Sequence, residues 1–299
     1  MRTDGQRRSN NVEDRGTGRR GGGGGGGVPV QALLGLVRIL GWKGTLVVGV
    51  IAGIGYFLLP DSVRSGLVGG SPQAASGGGG GSACALSPAN TAACDFSSVV
   101  LASTEDVWAV ELPAGRVPGG RPMAYANPTL VIFSGAVSTG GCGNATSDVG
   151  PFYCPADQRL YIDPGFYQVM ETQLRAPGDF AQAYVIAHEI GHHLQRLIAI
   201  PRSMPGETDN QVSVRVELQA DCLAGVWGNK AQSQLQINQE DLAEALGAAH
   251  AIGDDTLGHD DVRAFTHGSS EQRMRWFRRG FDSGDGRQCD TFAVAQSAL

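Results

Sequence analysis

The amino-acid sequence predicts an α+β domain that is mainly helical in its C-terminal half and lies behind a single transmembrane helix. Three observations lead to this prediction. Short β-rich runs separated by Gly and Pro turns occur between Cys94 and Asp163, and helical patterns dominate after Pro164. An uncharged apolar run precedes the domain and lies between two stretches rich in glycine.

The N-terminal segment, residues 1–38, predicts a disordered, basic, Gly-rich tail. Its first 27 residues are Arg, Gly and polar residues and end in an unbroken glycine run over residues 21–27, so this stretch has too little apolar surface to offset the entropy lost on ordering. Residues 1–43 carry eight basic and three acidic side chains, whereas the whole chain has a net charge of −6. Because the tail lacks interleaved aromatic residues and a recognisable binding module, we expect no nucleic-acid partner.

Residues 39–59 predict the transmembrane helix. These twenty-one residues are uncharged apart from Lys43, whose ammonium can reach the interface, and about twenty residues are needed to cross a bilayer. Basic residues crowd the N-terminal flank, which favours a single-pass protein of the cell membrane with a cytoplasmic N-terminus and an extracytoplasmic domain. A cleaved signal peptide and a buried core helix are the alternatives. Residues 60–82 then form a Gly/Ser-rich linker, and residues 83–299 form the domain.

The cysteines favour an oxidising compartment. There are six, an even number, and all follow the apolar run. A cysteine-ligated zinc site would need close CxxC pairs, which the sequence lacks. Six cysteines allow about fifteen disulfide patterns, and the simplest set pairs Cys142 with Cys154, Cys84 with Cys94, and Cys222 with Cys289.

Within the domain, two runs read as strands and four segments read as helices. The strands are Thr129–Phe133 and Arg159–Ile162, both bounded by turn residues. The first helix follows Pro177-Gly178 and stops at Pro201, and the second ends at Gly228-Asn229. The helical segments are 179–200, about 210–227, about 238–252, and 270–280.

The first of these helices contains His188-Glu189-Ile190-Gly191-His192, an HExxH motif. Residues four apart lie on one helical face, so His188 and His192 can bind one ion. Glu189 is rotated by about 100° around the helix from His188, which places its carboxylate beside the ion as a general base. The motif therefore predicts one Zn²⁺ ion, since zinc lowers the pKa of bound water to about 7.

A catalytic zinc site needs a third protein ligand. The extended HExxHxxGxxH pattern fails, because Gln195 and Ile198 stand where Gly and His are required. The second helix offers Glu217 and Asp221, two acids on one face among apolar neighbours. One can bind the metal while the other accepts the outward N–H of a ligand histidine.

We favour Glu217 as the ligand and Asp221 as the acid behind it. Asp221 itself, Glu207 and Asp209 are the alternative ligands.

HExxH followed by ExxxD resembles the gluzincin arrangement of thermolysin-like peptidases. More specifically, four segments resemble the bacterial family of neutral zinc metallopeptidases, namely residues 150–163, 183–195, 217–227 and 267–277. The resemblance implies a zincin-like fold and a peptidase role. It implies that His188, His192 and Glu217 bind zinc, that Glu189 is the general base, and that Asp221 supports a ligand. The Gly-rich head and the Cys84–Cys94 segment depart from the family pattern.

His267 is a candidate hydrogen-bond donor to the oxyanion that forms during peptide hydrolysis. Tyr161 and Tyr184 are equally suited, and a loop histidine with a local hydrogen bond is the plain alternative. His193 points to another face of its helix, which favours a packing role. The arginines at 273, 275, 278 and 279 favour a solvated helix face or a complement to the helix end over a phosphate site.

Together these features predict a membrane-anchored zinc metallopeptidase that hydrolyses peptide bonds with zinc-activated water and Glu189 as base. Its partner is a peptide or protein substrate. One alternative is a catalytically inactive, zinc-stabilised extracytoplasmic binding or scaffold domain, although metal binding alone does not require Glu189. Another is a metal-dependent hydrolase of a non-peptide bond.

Overall fold

The computed structural model describes residues 1–17, Cys84 and residues 91–299, and these form a mixed α+β fold as predicted. Helices predominate and the sheet is small. The strands are β1 (Val12–Thr17), β2 (Thr129–Ser134), β3 (Ala136–Ser138), β4 (Asn144–Thr146), β5 (Phe152–Cys154) and β6 (Arg159–Ile162). The helices are α1 (Thr91–Glu111), α2 (Gly165–Thr172), α3 (Asp179–Ile198), α4 (Asp209–Leu235), α5 (Gln239–Ala251) and α6 (Ser270–Ser283).

The main sheet has the strand order β1-β2-β6-β5. β1 and β6 run parallel to β2, whereas β5 runs antiparallel to β6. Four consecutive residues of β2, Leu130–Phe133, are buried, as expected for a central strand covered on both faces. β5 is the strand at the sheet edge beside α3, and β3 and β4 form a separate antiparallel hairpin.

The prediction of a disordered tail is wrong for residues 1–17, where β1 lies in the sheet. Composition underestimated this segment because strand pairing and ion pairs add to the small apolar surface that Met1 and Val12 bury. The α-ammonium of Met1 lies 3.1 Å from the carboxylate of Asp179, at the start of α3, and also contacts Asp241. Further ion pairs join Arg7 to Glu105, Arg8 to Asp95, and Glu13 to Arg159. The remainder of the predicted tail and the whole predicted linker, residues 60–82, lie outside the described residues.

The predicted membrane location requires correction. Among the described residues, every helix is too short or too polar to cross a membrane, and the span predicted at residues 39–59 lies outside them. The predicted topology placed the N-terminus and the domain on opposite sides of a membrane. That topology conflicts with the fold, because β1 pairs with β2 in the sheet of the domain itself.

Two helices, α1 and α2, were not predicted from the sequence, and α4 was predicted too short. The sequence up to Asp163 was interpreted as β-rich, but α1 is a 21-residue helix whose central residues are almost all buried. Tertiary packing here overrides the low helix propensity of its valines and serines. α4 continues past Gly228 to Leu235, because Gly228 packs against the rings of Phe180 and Phe281 instead of ending the helix.

Close packing of three helices places the candidate site. At Gly191 of α3, an added Cβ would lie 2.8 Å from the Cα of Ala220 in α4, so these helices cross with almost no space between backbones. α4 and α6 cross equally closely, at Gly225 and Gly280. The site residues of α3 and α4 are therefore held at a fixed separation.

The three predicted disulfides are confirmed. Cys142–Cys154 joins the turn between β3 and β4 to the end of β5, and Cys84–Cys94 fixes the start of α1. Cys222–Cys289 joins α4 to the C-terminal segment across 67 residues of sequence.

Candidate metal centre

Three side chains from two helices converge in a buried position. α3 contributes His188 and His192, and α4 contributes Glu217. The Nε2 atoms of the two imidazoles are 3.1 Å apart. One Glu217 oxygen lies 3.2 Å from His188 Nε2 and the other lies 3.5 Å from His192 Nε2.

This geometry fits a tetrahedral zinc ion. With zinc–ligand bonds of 2.0–2.1 Å, neighbouring ligand atoms of a tetrahedron are about 3.4 Å apart, close to the three separations observed. The two imidazoles also present their Nε2 atoms to one another while their Nδ1 atoms contact other acceptors. Two Nε2 lone pairs at 3.1 Å repel each other unless a cation or proton lies between them. The donor set therefore suits zinc.

Asp221 lies behind His188, where the sequence predicted it. Its carboxylate is 2.8 Å from His188 Nδ1 and accepts a 2.5 Å hydrogen bond from the Tyr184 hydroxyl. Arg273 of α6 donates two further bonds to it, of 2.8 and 2.9 Å. This arrangement fixes the protonated nitrogen of His188 as Nδ1 and leaves Nε2 free to bind a metal.

Gln195 has the corresponding place behind His192. Its side-chain oxygen accepts from His192 Nδ1 at 2.9 Å, and its amide nitrogen donates to the Val216 carbonyl at 2.6 Å. Val216 directly precedes Glu217 in α4. The buried side chain of Gln195 therefore connects the candidate ligand His192 with the backbone next to the candidate ligand Glu217.

Glu189 lies next to these groups without replacing any of them. Its carboxylate comes within 4.8 Å of both imidazoles and is 8% exposed. Burial, reinforced by the charge of Glu217, raises the pKa of Glu189 to about 8, although His188 and the backbone N–H of Tyr153 in β5 oppose the rise. A carboxyl with a pKa near neutrality can both accept and release a proton.

Burial and mutual charge shift the pKa values of the three candidate ligands in different directions. Burial alone would lower the pKa of His188, but Asp221 and Glu217 outweigh it and raise the pKa to about 10. Burial and the charge of His188 lower the pKa of His192 to about 4 despite Glu217. Burial opposes ionisation of Glu217, yet the two histidines hold its pKa well below the usual range. The opposite shifts of His188 and Glu217 are those expected of groups that attract each other.

His267 enters the site from the loop between α5 and α6. Its Nδ1 is 3.0 Å from a carboxylate oxygen of Asp254, and the other oxygen accepts from the backbone N–H groups of Thr266, His267 and Gly268. Its Nε2 is buried, lacks a hydrogen-bond partner among the described residues, and belongs to a side chain that lines the same cavity as His188. With Nδ1 occupied by Asp254, Nε2 is the ring atom left for a partner in the cavity.

The alternative candidates lie elsewhere or have other partners. Glu207 is paired with Arg215, and Asp209 is exposed in the first turn of α4. The Tyr161 hydroxyl donates to Asp157 at 2.6 Å, and that of Tyr184 donates to Asp221. His193 is buried against Tyr153 and the Ala126 carbonyl on another face of α3.

Three further residues of the site were not predicted from sequence. Gln195 was noted only as a departure from the extended zinc motif, and Asp254 carried no motif at all. Arg273 was interpreted as part of a solvated face, but it is 2% exposed. Its burial could have been found, because positions 273, 276, 277, 280 and 281 have the i, i+3, i+4, i+7, i+8 spacing of an apolar helix face.

Comparison with known proteins adds independent information. A family model described as "Putative neutral zinc metallopeptidase" matches residues 1–292. The protein YpfJ of Escherichia coli K12 is 43% identical over 304 residues, which cover 98% of this chain and 99% of YpfJ. Mb2605 of Mycobacterium bovis is 42% identical over 211 residues, covering 64% of this chain and 68% of Mb2605. Both relatives are described as uncharacterized proteins. No solved structure matches the chain.

Proposed function

Because the chain belongs to the family of neutral zinc metallopeptidases, we propose that it hydrolyses peptide bonds with water, using one Zn²⁺ ion held by His188, His192 and Glu217. The observation that carries the proposal is the convergence of two Nε2 atoms and one carboxylate at mutual separations of 3.1–3.5 Å, with the Glu189 carboxylate beside them. A structural zinc site would be closed by a fourth protein ligand.

A zinc ion held there supplies Lewis acidity, which makes water a better nucleophile at neutral pH and polarises a carbonyl group. Glu189 accepts the proton of the attacking water and later delivers it to the leaving nitrogen. His267, held by Asp254, is the hydrogen-bond donor in this proposal, because its unpartnered Nε2 is available to the negative charge that develops on the carbonyl oxygen. Asp221, Arg273 and Gln195 contact no reacting atom and hold the two imidazoles in place.

The sheet edge favours an extended peptide as the substrate. In the described part of the chain, β5 pairs with β6 on one side only, and the backbone N–H of Tyr153 on its other side points to Glu189. A peptide lying along this edge could add to the sheet as a further strand. Its carbonyl groups would then pass close to the candidate metal centre.

The first prediction concerns Glu189→Gln in the full chain. We expect this variant to bind zinc with the stoichiometry of the native protein and to lose cleavage of a mixed peptide library by at least about 100-fold, because an amide cannot accept the proton. Bound zinc and peptide cleavage are measured on the same samples. Glu171→Gln, at an exposed position on α2, is the matched control and should behave as the native protein does.

Equal cleavage by the native protein and by Glu189→Gln would contradict the mechanism. Zinc binding without cleavage of any peptide by the native protein would contradict the proposed peptidase activity.

A further inference from the structure

The cavity beside the candidate metal centre has a volume of about 300 Å³, at the lower end of the range of ligand sites, about 300–1,000 Å³. It therefore suits one or two side chains of an extended ligand. Its polar groups are largely those of the site just described. The apolar side chains around them come from β5, α2, the start of α3, the start of α4 and the loop after α5.

One wall of the cavity is apolar and only partly buried. Phe152 of β5, Phe166 of α2 and Leu174 each retain an accessible part of their surface there. The cavity thus offers accessible apolar surface, which a bulky apolar side chain of a ligand would remove from water.

The mouth of the cavity is positively charged. Arg196, in the last turns of α3, and Arg202, in the following loop, both line it and both are exposed. Neither forms an ion pair with any described residue, whereas the buried Arg273 is neutralised by Asp221. Two uncompensated guanidinium groups at one opening, in a chain of net charge −6, favour a carboxylate in the ligand.

We propose that the substrates are peptides with a bulky apolar side chain next to the cleaved bond and a carboxylate within reach of Arg196 and Arg202. The carboxylate belongs to an acidic side chain or to the C-terminus of the peptide. The position of the apolar side chain beside a cleaved bond rests on the proposed function, but the binding preference can be tested without cleavage.

The experiment measures binding of fluorescent peptides to the zinc-loaded full chain carrying Glu189→Gln, which should retain ligand without turnover. Four peptide sequences of equal length combine Leu or Ser at one position with Glu or Lys at another. Each sequence is made with a free and with an amidated C-terminus, which gives eight peptides. We expect Leu to bind at least about tenfold more tightly than Ser, as burial of a leucine side chain predicts. Peptides with Glu or a free C-terminus should bind more tightly than those with neither, and the stronger of these two effects identifies the source of the carboxylate.

Variants in the same background assign each preference to its residues. Phe166→Ser should weaken the preference for Leu without changing the preference for a carboxylate. Arg196→Gln with Arg202→Gln should remove the carboxylate preference, whereas Arg121→Gln, at an exposed position outside the cavity, should leave it intact. Equal binding of Leu and Ser peptides would overturn the apolar part, and a carboxylate preference that survives the double arginine variant would overturn the anionic part.

The test of peptide cleavage and the test of binding preference can fail independently of each other. If native protein cleaves no peptide while these binding preferences hold, the peptidase proposal fails and the binding inference stands. If native protein cleaves peptides regardless of these side chains, the inference fails alone.

Discussion

At the scale of single residues, the two candidate histidine ligands differ in what holds them. His188 faces a carboxylate that is itself bound by an arginine, whereas His192 faces a neutral amide. A carboxylate makes an imidazole a stronger electron donor than an amide does, so His188 should bind the metal more strongly. Gln195 instead fixes the position of His192, because its amide nitrogen also donates a hydrogen bond to the Val216 carbonyl in α4.

Replacing Gln195 with Leu should therefore weaken zinc binding by about 10–100-fold, the usual effect of losing an outer partner of a ligand. The reason is that His192 Nδ1 loses its acceptor while α3 and α4 lose a buried connection. The measurement is the zinc dissociation constant by competition with a chromophoric chelator. Gln182→Leu, at a half-buried position of the same helix, is the control, and equal affinities in both variants would show that Gln195 has no such role.

Asp254 should confer a pH dependence on stability. Burial opposes its ionisation, but bonds from His267 and from two backbone N–H groups lower the pKa of Asp254 below its ordinary value. A carboxyl whose pKa is lower in the folded state stabilises the fold above its unfolded pKa of about 3.9, and this stability is lost as the pH falls through the folded value.

We expect Asp254→Asn to be less stable than native protein by about 1–3 kcal/mol at pH 7, with a difference that shrinks between pH 5 and about pH 3. Thermal unfolding across this pH range measures the difference, and Asp260→Asn at an exposed position controls for the lost charge. A difference that grows toward acid pH would contradict the assignment.

Sequence predicted the parts of the site that depend on helical spacing. His188, Glu189, His192, Glu217 and Asp221 lie where a four-residue spacing on one helix and an acidic pair on another placed them. The contacts that distant segments make around the site could not be predicted from the spacing of residues along one helix. Asp254 reaches His267 across a loop, and Gln195 reaches Val216 across a helix crossing, so both depend on tertiary packing.

At the scale of elements, the crossing of α3 and α4 sets the distance between the histidines and Glu217. Gly191, inside the HExxH motif, allows this close approach because an added Cβ would lie 2.8–3.0 Å from Ala220. The sequence predicted α3 closely because Gly178 and Pro201 bound it, whereas the end of α4 was misplaced because Gly228 serves packing. A glycine's role in a helix depends on its neighbours, which sequence alone does not reveal.

Gly191→Ala should therefore destabilise the protein by about 1–3 kcal/mol through overpacking and should weaken zinc binding by moving α4 away. Gly247→Ala is the matched control on α5, where an added Cβ has no neighbour within 4 Å, and should stabilise the helix by about 0.5–1 kcal/mol. Denaturant unfolding and zinc titration of both variants decide the matter. Similar effects of the two substitutions would mean that the crossing can relax and does not set the ligand spacing.

At the scale of the whole molecule, the fold has connections between its helices that do not involve a metal. Arg273 joins α6 to α4, Gln195 joins α3 to α4, and the Cys222–Cys289 disulfide joins α4 to the C-terminal segment. The helices also share a continuous buried core. Metal binding should therefore add to the stability of a chain that already folds, unlike a small zinc domain that unfolds without its ion.

Removal of zinc by a chelator should lower the unfolding temperature while leaving the far-ultraviolet circular dichroism spectrum unchanged. Zinc at about 1,000 times its dissociation constant contributes about 4 kcal/mol, which corresponds to roughly 10 °C for a domain of this size. Calorimetry with and without chelator measures the shift, and His192→Ala should show almost none. Loss of helical signal on chelation would identify a structural ion, because a catalytic ion in a preformed site is not required for the helices to pack. An unchanged unfolding temperature would mean that no ion was bound between α3 and α4.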